Sequence, residues 1–116
     1  MTPIDNYKKK LIDLIDGESI AQDTLDFLNA SSETGNEKEG CDFFIDILKR
    51  EGLNIKIDEF IENRPNIYSL FSGNDPENGK TLMFNGHIDT IPIGNSDPPK
   101  IQDGWIIGRG SEDMKG

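Results

Sequence analysis

Two stretches of this chain carry side chains whose types and spacing could do chemistry: NGHIDT, residues 85–90, and GRGSEDMKG, residues 108–116. His87 is the sole histidine, and Asp89 follows two positions later. In extended backbone, residues two apart project to the same side, so this imidazole and carboxylate can act together. A neutral ring nitrogen is a metal donor, and a carboxylate on the other nitrogen fixes its tautomer and orientation. Taken alone, a His-x-Asp pair is a weak signal, since a lone histidine is more often an ordinary surface or hydrogen-bonded residue. The second stretch sets Glu112 and Asp113 in a glycine-rich loop. A carboxylate has two oxygens and can join two cations at the roughly 3.5–4 Å spacing of two-metal hydrolases, which makes Asp113 a candidate bridge. Gly108 and Gly110 would let the backbone turn closely enough to deliver it. Adjacent acids before Met114 also suit the start of a helix, and the two roles are compatible.

Glycine-rich loops also cradle phosphate, but the spelling here does not fit. A dinucleotide fingerprint beginning at Gly108 needs glycine where Asp113 stands, and a P-loop needs Gly-Lys-Ser/Thr where Lys115 precedes Gly116. Two acids would also face the bound anion.

The elements that must position these residues can be read from periodicity. Tyr7, Leu11, Leu14 and Ile15 fall on one helical stripe, with Gly17 expected to end that helix. Ile20, Thr24, Phe27 and Leu28 form a second stripe. A polar loop follows, with Thr34 and Glu37 or Asn36 and Glu39 as a capping pair for a third helix that buries Cys41, Phe44, Ile45 and Leu48. Gly52 stands where a left-handed cap belongs. The period then becomes two across Leu53, Ile55 and Ile57, a half-buried strand. Residues 67–71 read as another strand, and 81–85 as a third, covered on both faces because Leu82, Met83 and Phe84 do not alternate. His87 would then sit at the C-terminal end of a buried strand, where α/β sheets place ligand-binding residues. Asp103-Gly104 between two apolar-bearing segments signals a hairpin that leads into the acidic loop. The expected class is α/β, a mixed sheet flanked by helices.

Composition narrows the functions. With 12 Lys and Arg against 22 Asp and Glu, the formal charge of −10 would repel a nucleic-acid backbone, and the one basic run, Lys8 to Lys10, reads as the solvated face of a helix. The longest apolar runs are far below the roughly 20 residues of a membrane span. The N-terminus lacks a secretory h-region and Cys41 has no partner cysteine, so a cytoplasmic protein without nucleic-acid or membrane partners is expected.

In order and spacing, GHIDTIP at 86–92 and DGWIIGRGSEDMKG at 103–116 resemble the M20 family of metallopeptidases and deacylases. That family includes acetylornithine deacetylases, succinyl-diaminopimelate desuccinylases, aminoacylases and carboxypeptidases. Lesser support comes from ETGNEKEG at 33–40, REGLNIKID at 50–58 and RPNIY at 64–68. The resemblance implies that His87 ligates one zinc, that Asp89 orients His87, and that Asp113 bridges two zincs; cobalt or manganese also suits such donors. It implies a dizinc amidohydrolase that lowers the pKa of water toward about 7 and cleaves the amide of a small N-acyl amino acid or peptide. Arg64, Pro65 and Asn66 match a family segment without a catalytic assignment. Arg109 either orders the acidic loop or is simply solvated.

Two departures stand out. The segment GNSDPPK at 94–100 lacks the tryptophan and Pro-Phe pair common between the two motifs, which puts the shape of that loop in doubt. The family's Glu-Glu pair (general base and ligand), further acidic ligand, late histidine and inserted domain used for homodimerisation have no counterpart in these 116 residues. The expectation is the N-terminal part of a catalytic domain, residues 1–116, inactive by itself. The alternative is a non-catalytic binding module or a relic of the family.

Overall fold

The first helix, α1 (Pro3–Asp13), begins with a reciprocal cap: the Asp5 backbone N–H donates to Thr2 Oγ1 at 3.3 Å, and the Thr2 N–H donates to the Asp5 carboxylate at 2.9 Å. The computed structural model describes residues 2–116. The stripe expected on α1 finds no partner, with Tyr7, Leu11, Leu14 and Ile15 between 62% and 80% exposed. Gly17 does not end this helix. Asp16 caps α2 (Gly17–Asn29) by accepting the Glu18 and Ser19 N–H groups, each at 3.1 Å, so Gly17 is the first residue of the next helix.

The core forms where α2 meets α3 (Lys38–Arg50). Phe27, Leu28, Ala30, Cys41 and Ile45 are buried, and Phe27 stacks on Phe43 and Phe44 with ring centroids 5.7 and 5.6 Å away. Burying a side chain such as Phe27 stabilises by about 2 kcal/mol. Phe44 and Leu48 are half-buried, while Ile20 lies outside the core. Neither expected capping pair forms at α3. Glu37 is the cap residue but its carboxylate goes to Arg64 and the Gly35 N–H, and Thr34 turns to Asp89 instead. At the other end Gly52 has φ +74°, the Leu53 N–H reaches the Leu48 carbonyl at 3.0 Å, and the Gly52 N–H reaches Lys49 at 2.9 Å, a Schellman cap as expected.

Two antiparallel ribbons follow: β1 (Ile55–Asp58) with β2 (Asn66–Ser69), and β3 (Lys100–Gln102) with β4 (Trp105–Ile107). The second turns through Asp103 and Gly104, both at positive φ (54° and 80°), the geometry that makes Asp-Gly a hairpin signal. In β1 the expected burial is partial, Ile57 being 47% exposed.

Residues 81–85 are not a strand. Leu82, Met83 and Phe84 are 77%, 77% and 89% exposed, because among the described residues no strand runs beside them to pair with either edge. An apolar run needs those neighbours before it can be covered on both faces. Parallel pairing survives as one bridge, Glu33 with Thr90, in which Thr34 N–H donates to Thr90 O and Thr90 N–H to Ser32 O, both at 2.9 Å. The architecture is α/β, three helices with small antiparallel sheets. Among the described residues no helix is long and apolar enough to cross a membrane.

Candidate metal centre

The Glu33–Thr90 bridge is what places the histidine loop. Ser32 Oγ donates to the Ile88 carbonyl at 2.8 Å, and Thr34 Oγ1 donates to Asp89 Oδ2 at 2.8 Å. Ser32 and Thr90 are 1% and 6% exposed, so residues 31–34 clamp 88–90 about a buried Ser32–Thr90 contact, with Thr34 at the exposed rim. Below the clamp, Arg64 Nε lies 3.0 and 2.9 Å from the two carboxylate oxygens of Glu37. The Gly35 N–H donates to the same carboxylate at 2.7 Å. Burial pushes the Glu37 pKa up, but the Arg64 and Gly35 hydrogen bonds outweigh it and hold the carboxyl below its ordinary value.

His87 lies between two acids. Its Nδ1 is 3.1 Å from the Asp89 carbonyl oxygen and 3.2 Å from Asp89 Oδ1, while Nε2 is 2.9 Å from Asp113 Oδ1. The Asp89 carbonyl raises the His87 pKa; desolvation opposes it, and the Asp113 carboxylate adds to the rise. A carbonyl can only accept, so Nδ1 carries a proton. In a neutral ring Nε2 is then a bare lone pair aimed at a carboxylate oxygen. A protonated ring, or a cation lying between the two atoms, satisfies that distance.

The donor set fits a divalent metal. Zinc binds imidazole nitrogen and carboxylate oxygen at 2.0–2.2 Å, which in a tetrahedron separates two donors by roughly 3.3 Å. The observed 2.9 Å needs only a small opening. Asp89 already holds the second ring nitrogen, the arrangement that orients a ligating histidine. Among the described residues no group of three or more His, Cys, Asp or Glu side chains is assembled for a metal.

The acidic loop approaches because Gly110 allows it. Gly110 has φ +90°, and a Cβ there would lie 2.8 Å from Thr90 Cγ2. Residues 111–114 make turns, not the helix start that paired acids would also suit. A cavity of about 490 Å³ opens between the loops, lined in part by Thr34, His87, Asp89, Arg109 and Asp113. Arg109 donates to Ser96 Oγ at 3.2 Å, which ties the acidic loop to the 94–100 segment.

His87, Asp89 and Asp113, singled out from sequence, are thus brought together. Three contributors were missed. Thr34 holds Asp89; Met114 receives the His87 backbone N–H on Sδ at 3.4 Å; and Lys115 is buried on α2. For Lys115 the available signal was a charged residue two positions from Asp113 in a chain whose other lysines punctuate solvent-facing patterns.

No protein-family model matches the chain, and no solved structure matches it. Curated relatives do. The chain is 36% identical over 97 residues to the succinyl-diaminopimelate desuccinylase of Rickettsia prowazekii (strain Madrid E), covering 73% of this chain and 24% of the relative. With the protein of that name from Rickettsia felis it shares 34% over 103 residues, 78% of this chain and 26% of the relative. With that from a Wolbachia pipientis strain of Culex pipiens it shares 33% over 99 residues, 79% and 24%. The chain therefore spans about a quarter of the length of the curated relatives it matches.

Proposed function

Because the chain belongs to the M20 family, to which its desuccinylase relatives assign it, we propose that it carries part of the metal site of an amidohydrolase. His87 and Asp113 would hold a divalent cation, zinc first and cobalt or manganese as substitutes, with Asp89 fixing the imidazole orientation. Asp113 would be the carboxylate shared with a second cation, the role that the family resemblance implies for it. When bound, such cations supply Lewis acidity toward an amide carbonyl and lower the pKa of water.

The whole protein would then hydrolyse the amide of a small N-acyl amino acid or peptide, with a succinylated amine as the first substrate to try, and residues 1–116 form part of its catalytic domain. Catalytic zinc sites draw on three protein ligands, so a chain offering two is expected to bind metal loosely and turn over no substrate by itself. A stand-alone binding module is the poorer reading, since Leu82, Met83 and Phe84 lie open to water beside the site.

The observation that supports the metal is the facing of His87 Nε2 and Asp113 Oδ1 at 2.9 Å with Nδ1 already committed. Titration of the chain with Co²⁺, followed by visible absorption, tests it. Saturable uptake that is lost in His87→Asn and in Asp113→Asn is the expected result; uptake unaffected by either substitution would sink the reading.

A further inference from the structure

The C-terminal end of α2 is where both halves of the site are anchored. Its chain continues directly into the 31–34 clamp that holds Ile88, Asp89 and Thr90. On its other side it receives Lys115. The Lys115 ammonium donates to the Phe27 carbonyl at 2.9 Å and the Ala30 carbonyl at 2.7 Å, and sits 4.7 Å from the centre of the Phe27 ring. The residue is only 7% exposed. These carbonyls belong to the last turn and cap of the helix, which lack intrahelical donors and carry the negative end of its dipole. A buried ammonium is costly unless its protons are satisfied, and here two are taken by oxygens and the remainder faces an aromatic ring.

We propose that Lys115 is the positioning residue that sets Asp113 against His87. Only Met114 separates Lys115 from Asp113, and Met114 Sδ itself receives the His87 N–H. The Lys115 backbone N–H closes the loop on the Gly110 carbonyl at 2.8 Å, and Gly110 is pressed against Thr90. The short segment bearing Asp113 is therefore pinned on both sides, at Gly110 by close backbone approach and at Lys115 by the helix end. The Asp113 side chain is 84% exposed and among the described residues makes no hydrogen bond besides that to His87, so its place depends on those pins. The Lys115 ammonium is spent on the Phe27 and Ala30 carbonyls and does not line the cavity between the two loops; it acts through the backbone. The inference rests on the proposed function only in treating the His87–Asp113 contact as a metal site.

The test is made on the metal-free chain by NMR, reading the cross-relaxation between the His87 ring protons and the Asp113 β-protons. Lys115→Met keeps the stem and removes the ammonium. Gly52→Ala, which strains the left-handed cap of α3 far from the loop, serves as a control for general destabilisation. The expected result is that the contact persists in the wild type and in Gly52→Ala and is lost in Lys115→Met while far-UV circular dichroism stays unchanged. If Lys115→Met does not fold, Lys115→Gln, which keeps N–H donors without the buried charge, carries the same readout. A folded Lys115 variant that retains the contact would overturn the proposal. Co²⁺ titration of the same samples separates the two ideas: a wild type that shows the contact but takes up no cobalt defeats the metal reading and leaves the role of Lys115 standing. If cobalt binds, Lys115→Met should weaken it at least tenfold and Gly52→Ala by less than twofold.

Discussion

His87 Nε2 and Asp113 Oδ1 face each other at 2.9 Å across 26 positions of sequence, while the opposite ring nitrogen gives its proton to the Asp89 carbonyl. Without metal an imidazolium satisfies both contacts at once, each ring nitrogen donating. The His87 pKa is accordingly raised by the Asp89 carbonyl and, after desolvation is overcome, by Asp113. A raised folded-state pKa means that the stability linked to His87 is fully present below its unfolded value of about 6.5 and is lost as pH rises through the folded value. NMR titration of the metal-free chain should show this elevated pKa, with Asp113→Asn moving it back toward the ordinary value. An unchanged pKa in Asp113→Asn would remove Asp113 from the account.

The Glu37–Arg64 pair supports the clamp from beneath. Arg64→Met should destabilise the chain by about 2 kcal/mol, the scale of hydrogen bonds to a charged group left without its partner. Because the Glu37 pKa is depressed in the fold, its contribution is present above the unfolded value near 4.5 and lost as pH falls through the lower folded value. Urea unfolding between about pH 3 and 7 should therefore show the acid-side loss of stability in the wild type and a shallower one in Arg64→Met. Equal pH slopes would contradict the assignment.

Much of this site was legible before any coordinates. His87, Asp89 and Asp113 are marked by residue type and spacing, and the Asp103-Gly104 hairpin and the Gly52 cap by turn chemistry that depends on a few neighbouring residues. What was not legible depends on distant groups. The capping pairs at α3 were misjudged because Thr34 and Glu37 are drawn to Asp89 and Arg64, 55 and 27 positions away. Residues 81–85 were read as a strand from local hydrophobicity, yet a strand exists only with neighbours to pair. Nothing near Lys115 in sequence marks its burial, because the carbonyls it caps lie 85 and 88 positions earlier.

Gly110→Ala tests the close approach of the acidic loop. With φ at +90° and Thr90 Cγ2 only 2.8 Å from the new Cβ, the loop must shift. Backbone strain of this kind is worth about 1–3 kcal/mol. The variant should lose cobalt affinity by more than its loss of thermal stability explains, as compared with Gly52→Ala by titration and melting. Unaltered affinity would show that the loop needs no close contact with Thr90.

The apolar run at 82–84 should govern the solubility of the chain. Phe84→Ser removes a ring that is 89% exposed and should raise the concentration at which light scattering appears, leaving the melting temperature unchanged. A marked drop in melting temperature would mean that Phe84 is packed in solution.

The metal assignment has His87 presenting Nε2, and not Nδ1, to a cation shared with Asp113. The direct measurement is a ¹⁵N NMR titration of the imidazole with Zn²⁺. That assignment predicts that zinc moves the Nε2 resonance while Nδ1 stays protonated, and that Nε2 stays unmoved in Asp113→Asn at the same concentration. Zinc that leaves both ring nitrogens unmoved in the wild type, or that engages Nδ1, would contradict it.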